Sequence, residues 1–193
     1  MERKDFLKNS LGFLGVALVA PSLMKAKTPQ KTTSALNNAL ACSSTAAETA
    51  GPFPTITPSS LIKTNIVSDR TGVAFTINIS IININANCAP LEGAIVDIWH
   101  CDKDGYYSEY GGTSMQTVNY TTVHFLRGRQ TTAANGLVSF TSIFPGWYTS
   151  RATHIHVHVY NAAGTSLLVT QIAFPEGSTS AVALVNARSY PQT

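Results

Sequence analysis

From Ala74 the chain alternates, with Phe75, Ile77, Ile79 and Ile81 apolar and Thr76, Asn78 and Ser80 between them. A period of two built largely on β-branched residues predicts a half-buried strand. Segments 94–100 (AIVDIWH), 137–144 (LVSFTSIF), 154–160 (HIHVHVY) and 167–174 (LLVTQIAF) share that length and composition. Turn-forming clusters separate them: Asn87-Cys88-Ala89-Pro90, Asp102-Lys103-Asp104-Gly105, Asn135-Gly136, Pro145-Gly146 and Asn161-Ala162-Ala163-Gly164. No long helical period follows the first residues of the chain. The pattern predicts an all-β protein: a single β-sandwich of about seven or eight strands, occupying residues 48–193.

The N-terminus follows another rule. RKDFLK at 3–8 precedes the apolar run LGFLGVALVA at 11–20 and Pro21. A basic start with a short apolar centre describes a secretory signal, and the run is too short for a stable transmembrane anchor. The expected signal covers 1–26, with an outer limit at 41, where Ala39-Leu40-Ala41 precedes Cys42. RKxFLK is also similar to a twin-arginine signal, with Lys4 in place of the second arginine. The expected destination is therefore the periplasm or cell envelope. Residues 27–47, rich in Ser, Thr and Ala, read as a linker.

Charge removes one class of partner. The formal net charge is +3, but six of the thirteen basic residues and only two of the ten acidic ones fall within 1–31. The body keeps seven basic against eight acidic side chains, a net of −1. It has no electrostatic footprint for nucleic acid. The three cysteines, Cys42, Cys88 and Cys101, match no zinc spacing. Cys42 and Cys88 lie in loop-like sequence and form the expected disulfide; Cys101 follows an apolar strand and is expected to be buried and free.

Chemistry concentrates between residues 99 and 171. His154, His156 and His158 share one face of a strand at intervals of ~6.6 Å, while Ile155, Val157 and Val159 take the other. Two such imidazoles can converge on one ion if the strand twists; three in line cannot easily do so. Taken alone the pattern is weak evidence, because satisfied or surface histidines account for it more often than a metal site does. Nearby, Phe144-Pro145-Gly146-Trp147-Tyr148 delivers a tyrosine in a turn, and Arg151 stands three residues before His154. No carboxylate adjoins the histidines in an HxD or HxE arrangement, and no cysteine is close in sequence, so ferrous facial-triad, zinc and blue-copper sets are poorly supported. Phenolate is a hard anion that suits a trivalent ion, and Tyr106, Tyr107 and Tyr110 offer a second one. A copper site on His154, His156 and His158, and a non-catalytic sandwich module, are the rival readings.

Several features take a plain reading. Asp102-x-Asp104-Gly105 lacks the glutamate of a calcium loop and reads as a turn. His100 and His124 read as structural, Trp99 and Trp147 as packing residues, and Arg127 and Arg129 as rim cations.

Segments 91–108 (LEGAIVDIWHCDKDGYYS), 125–159 (FLRGRQTTAANGLVSFTSIFPGWYTSRATHIHVHV) and 170–176 (TQIAFPE), with ETAGPFP at 48–54, resemble the intradiol ring-cleaving dioxygenases. The resemblance implies four ligands to a non-haem Fe(III): Tyr107, Tyr148, His154 and His156. It further implies that Arg151 lies against the bound substrate ring with Gln171 beside it, that Tyr148 takes part in catalysis as well as binding, and that His158 is no ligand. The implied activity inserts both atoms of O2 into a catechol-type diol to give a cis,cis-muconate-type diacid. A degenerate member of the family is the alternative. The tail after TQIAFPE is shorter than the family's usual end, so an incomplete sandwich is expected there. The family's helical dimerisation segment is not evident before residue 48, and a homo-oligomer stays open.

Overall fold

A computed structural model describes residues 42–188 apart from Thr149. The expected signal at 1–26, the linker as far as 41, and residues 189–193 lie outside the described residues. Eight strands run through the described chain: β1 (Ala74–Ser80), β2 (Ile82–Asn83), β3 (Ala89–Pro90), β4 (Ile95–Trp99), β5 (Arg127–Thr131), β6 (Leu137–Ile143), β7 (His154–Tyr160) and β8 (Ser166–Ala173). One helix follows, α1 (Ala181–Arg188). The protein is all-β, as the alternation predicts.

Four strands form an antiparallel sheet in the order β5-β4-β7-β8, while β1 pairs with β6 and the two-residue strands β2 and β3 pair with each other. Ala94, Val96 and Ile98 at β4, with Ile155, Val157 and Val159 of β7, meet Ile77, Val138 and Phe140 of the β1-β6 ribbon in one buried cluster. Segment 61–66 ties the two layers at their edge: Leu126 N–H donates to Ile66 O at 2.7 Å, and Ile66 N–H donates to Thr141 O at 2.9 Å. The outer face of the four-stranded sheet is covered by loops instead of a second sheet, and there the chemistry lies.

Two expectations need correction. Arg127 and Arg129 read as rim cations, yet Arg127 to Thr131 form β5, because the sheet supplies partners that the sequence pattern does not reveal. Arg127 is fully buried, and Arg129 is a sheet residue whose guanidinium bridges Asp97 at 2.5 and 2.7 Å. Helix α1 was not foreseen; at eight residues it is too short to display a period, and Val182 anchors it against Phe144. The disulfide joins Cys42 to Cys88 and Cys101 is free and buried, as expected.

Candidate metal centre

The outer face of the sheet carries a row of side chains in cross-strand register: Arg127 on β5, Trp99 on β4, His156 on β7 and Gln171 on β8. His154 stands two residues before His156 on the same face. The two Nε2 atoms lie 3.1 Å apart, and Tyr107 Oη lies 3.5 Å from His154 Nε2. The Tyr148 ring centroid is 5.8 Å from that of Tyr107 and 5.9 Å from that of His154. Two phenols and two imidazoles from three separate segments thus face one point.

Local backbone chemistry makes this meeting possible. The Asp102 carboxylate accepts the Asp104 and Tyr106 N–H groups at 3.0 Å each and closes the turn that the DKDG cluster predicts. Gly105 holds φ +87°, and a Cβ there would approach the Trp147 carbonyl to 2.5 Å. That contact, with Gly146 N–H donating to Asp102 O at 3.1 Å, lays the Tyr107 loop against the Tyr148 loop. Arg151 N–H donates to Tyr148 O at 3.0 Å, so one tight turn presents both side chains. Gln116 clamps the Tyr107 backbone on both sides, accepting its N–H at 2.7 Å and donating to its carbonyl at 2.8 Å.

A strap from Cys42 to Ile56 closes over this face. Glu48 N–H donates to Val169 O at 2.8 Å, and Gln171 Nε2–H donates to Thr49 O at 2.9 Å. Gly51, at φ +67°, lies so close to His156 that a Cβ would meet its Cε1 at 2.9 Å. Phe53 stacks on Tyr107 with centroids 4.7 Å apart. Trp99 lies flat on the His156 ring, with centroids 4.9 Å apart and planes at 2°.

Electrostatics prepare the donors. His154 Nδ1–H donates to Ala152 O at 2.6 Å, which puts its lone pair on Nε2, the atom turned toward His156 and Tyr107. His156 Nδ1 has no hydrogen-bond partner among the described residues. Burial, with the neighbouring His154 and Arg151 adding to it, holds His156 down to about 3, and burial also lowers His154. Both shifts favour the neutral imidazole, the form that binds a metal. Burial pushes the Tyr107 and Tyr148 phenols up. Only a strongly charged cation would draw phenolates from such a setting. Among the described residues no cluster of three or more His, Cys, Asp or Glu side chains could hold a metal, so an ion here depends on the phenols. The donor chemistry fits a hard trivalent ion.

Arg151 Nη2–H donates to Gln171 Oε1 at 2.6 Å at the open edge of the site. Arg151, Trp147, Glu176 and Val182 line an open cavity of about 410 Å³ there. A larger cavity of about 670 Å³ runs past Ser43, Ile82, Ile84 and Leu167 and contains none of the four ring donors. Tyr106 turns away beside Tyr120, with centroids 6.2 Å apart. His158 gives both ring nitrogens to other partners, Tyr160 Oη and Ser166 Oγ at 2.8 Å each. His100 is buried between Cys101 O at 2.7 Å and Ser142 Oγ at 2.8 Å, and His124 pairs with Glu109 at 2.8 Å. Sequence reasoning missed Gln116 and the inward place of Arg127; no local signal marks the first, and the charge of the second points to solvent.

The dioxygenase family Dioxygenase_C matches residues 55–190. An intradiol ring-cleavage dioxygenase from Tetranychus urticae superposes with a TM-score of 0.66 at 32% identity, over 76% of this chain and 71% of that one. The dioxygenase domain of a carbohydrate-binding fusion protein from Streptomyces sp. SirexAA-E gives a TM-score of 0.53 at 30% identity, over 71% of this chain and 80% of that one. A chlorocatechol 1,2-dioxygenase of Rhodococcus opacus is 30% identical over 104 residues, 44% of this chain; the match spans 38% of that relative's own length. A fold with two phenols and two imidazoles facing one point on its loop-covered sheet is thus paired with relatives of one chemistry. The chain belongs to the intradiol ring-cleavage dioxygenases.

Proposed function

We propose that the protein is a non-haem Fe(III) dioxygenase that cleaves a catechol-type diol between its hydroxyl-bearing carbons, adding both atoms of O2 to give a cis,cis-muconate-type diacid. The observation that carries this reading is the convergence of Tyr107, Tyr148, His154 and His156, with the two imidazole Nε2 atoms 3.1 Å apart and no metal-holding cluster of His, Cys, Asp or Glu among the described residues. Ferric iron held there would bind the diol and render its ring electron-rich enough to react with O2, and phenolate ligation would keep the ion ferric.

The chain's own residues supply the rest. Tyr148 is the less buried of the two phenols. As the phenolate that ferric iron would hold, its Oη would take one diol proton as substrate enters and serve as the base for it. Tyr107, locked by Gln116 and Phe53, stays in place. Arg151 and Gln171, already paired, face the ring as fixed donors for the charge that develops on it. The strap at Gly51 and Phe53 keeps water from the buried side of the site. Export by a signal at 1–26, along a twin-arginine-like route to the periplasm or cell envelope, completes the reading. The Cys42–Cys88 disulfide supports it, since such bonds persist in oxidising compartments.

Tyrosinate bound to Fe(III) absorbs in the visible, so the iron-loaded protein should be red to purple and should change colour with catechol. Tyr107→Phe and Tyr148→Phe should each weaken or shift the band, and Tyr106→Phe should leave it alone. A Tyr107→Phe, Tyr148→Phe double variant with the parent's spectrum would remove both phenols from the site and end this reading. Intact-mass measurement of protein recovered from its native envelope checks export: a retained Met1 or Glu2 sinks it.

A further inference from the structure

Arg127 is a buried charge that the chemistry above does not use. Its side chain is 0% exposed, and its donors are committed: Nε–H to Ser108 Oγ at 2.9 Å, Nη2–H to Ser108 O at 2.6 Å, and Nη1–H to Phe53 O at 3.0 Å and Thr55 Oγ1 at 3.1 Å. Its Nε also stands 3.6 Å from Glu109 Oε2, which accepts the Ile56 N–H at 2.6 Å. Stability alone explains such a group poorly, because apolar replacements of a buried ion pair are often as stable. Its placement is more informative. The guanidinium lies 6.0 Å from the Tyr107 ring centroid and 5.5 Å from that of Tyr110. The two carbonyls it grips belong to Phe53, which stacks on Tyr107, and to Ser108, the next residue after Tyr107.

Resting on the metal site proposed above, we infer that Arg127 is a positioning residue for Tyr107: its fork clamps the two segments that hold the ring, and its fixed charge steadies the phenolate formed there. Lysine would supply the charge without the planar fork, so the two contributions separate by substitution. A cation beside a phenolate lowers the energy of its donor electrons. Removing that cation raises them, which moves the charge-transfer band to longer wavelength.

The test uses the full chain loaded with ferric iron, and reads the visible band, iron release to EDTA and the melting temperature. Arg127→Gln should shift the band to longer wavelength and weaken iron retention by about 10- to 100-fold, the scale of lost outer-shell support. Arg127→Lys should keep the band in place while releasing iron faster than the parent. A folded Arg127→Gln protein with an unmoved band overturns the inference, because a purely structural arginine would change melting alone. If Arg127→Gln does not fold, Arg127→Lys decides: an unmoved band with faster release supports the inference, and a displaced band overturns it. A parent protein with no tyrosinate band defeats the metal-site reading itself, and is recognised before any variant is made.

Discussion

Strand β7 carries two chemistries on one backbone. Its inner face gives Ile155, Val157 and Val159 to a cluster shared with Ile77, Val138 and Phe140. Its outer face gives His154 and His156 to a spot lined by Tyr107, Tyr148 and Trp99. Each inner side chain has many interchangeable neighbours, and burial of apolar area stabilises it without direction. The outer face is buried just as deeply but leaves Trp99 Nε1 and His156 Nδ1 without partners among the described residues. Desolvated polar atoms cost free energy, so that face borrows its stability from the other. Substitutions on the two faces should therefore fail in different ways.

The largest effect belongs to the outer face. His154→Ala and His156→Ala should each lose ferric iron outright, with activity at background, while far-ultraviolet circular dichroism keeps its strand signal. Iron at parental stoichiometry in either variant would break the contrast. Ile155→Ala, between them in sequence, should do the reverse. It should cost about 2–5 kcal/mol of stability in denaturant melts, the usual range for a buried isoleucine, yet bind iron normally per folded molecule. Arg151→Ala should keep iron and colour and lower kcat by about 10²-fold or more, the scale of one pre-placed donor; a merely raised KM would show that Arg151 binds substrate and nothing else.

The two faces were also unequally legible. Period two reveals β7 and its neighbours because apolar alternation is written locally, and the span expected for the histidine strand, 154–160, is the one observed. The site was legible only in part. His154 and His156 are two residues apart on one strand, but their meeting with Tyr107 depends on a backbone contact between Gly105 and Trp147 that no local pattern encodes. Arg127 reads as a solvated cation because its compensating carbonyls, Phe53 O and Ser108 O, come from distant segments. Helix α1 rests on the packing of Val182 more than on its own period.

Acid should sharpen the contrast by a smaller amount. Burial holds His156 at about 3 and His100 at about 4, against 6.5 for an unfolded histidine. Between about pH 4 and 6.5 the unfolded chain binds protons that these native imidazoles refuse, so stability of the metal-free protein rises with pH and falls on acidification. The slope is at most about 1.4 kcal/mol per pH unit for each imidazole. Denaturant melts of the metal-free protein at pH 7 and pH 5 measure it, and His100→Asn should flatten it. An unchanged slope in that variant would mean that His100 does not titrate differently on folding.

The smallest effect should come from His158, and it discriminates most between ways of reading three histidines in line. His158 shares the outer face with His154 and His156, yet Tyr160 and Ser166 occupy both of its ring nitrogens and the Tyr160 ring stacks on it at 3.9 Å. It is half-exposed, and each neutral hydrogen bond contributes only about 0.5–1.5 kcal/mol net. His158→Ala should therefore melt slightly earlier than the parent while keeping its iron content, its visible band and its turnover. A site built on three in-line histidines would behave otherwise: removing the third would release metal as readily as removing the first. Iron content measured side by side for His154→Ala and His158→Ala decides the matter, and equal losses would mean that the metal is held along the strand and not between the strand and the two tyrosine loops.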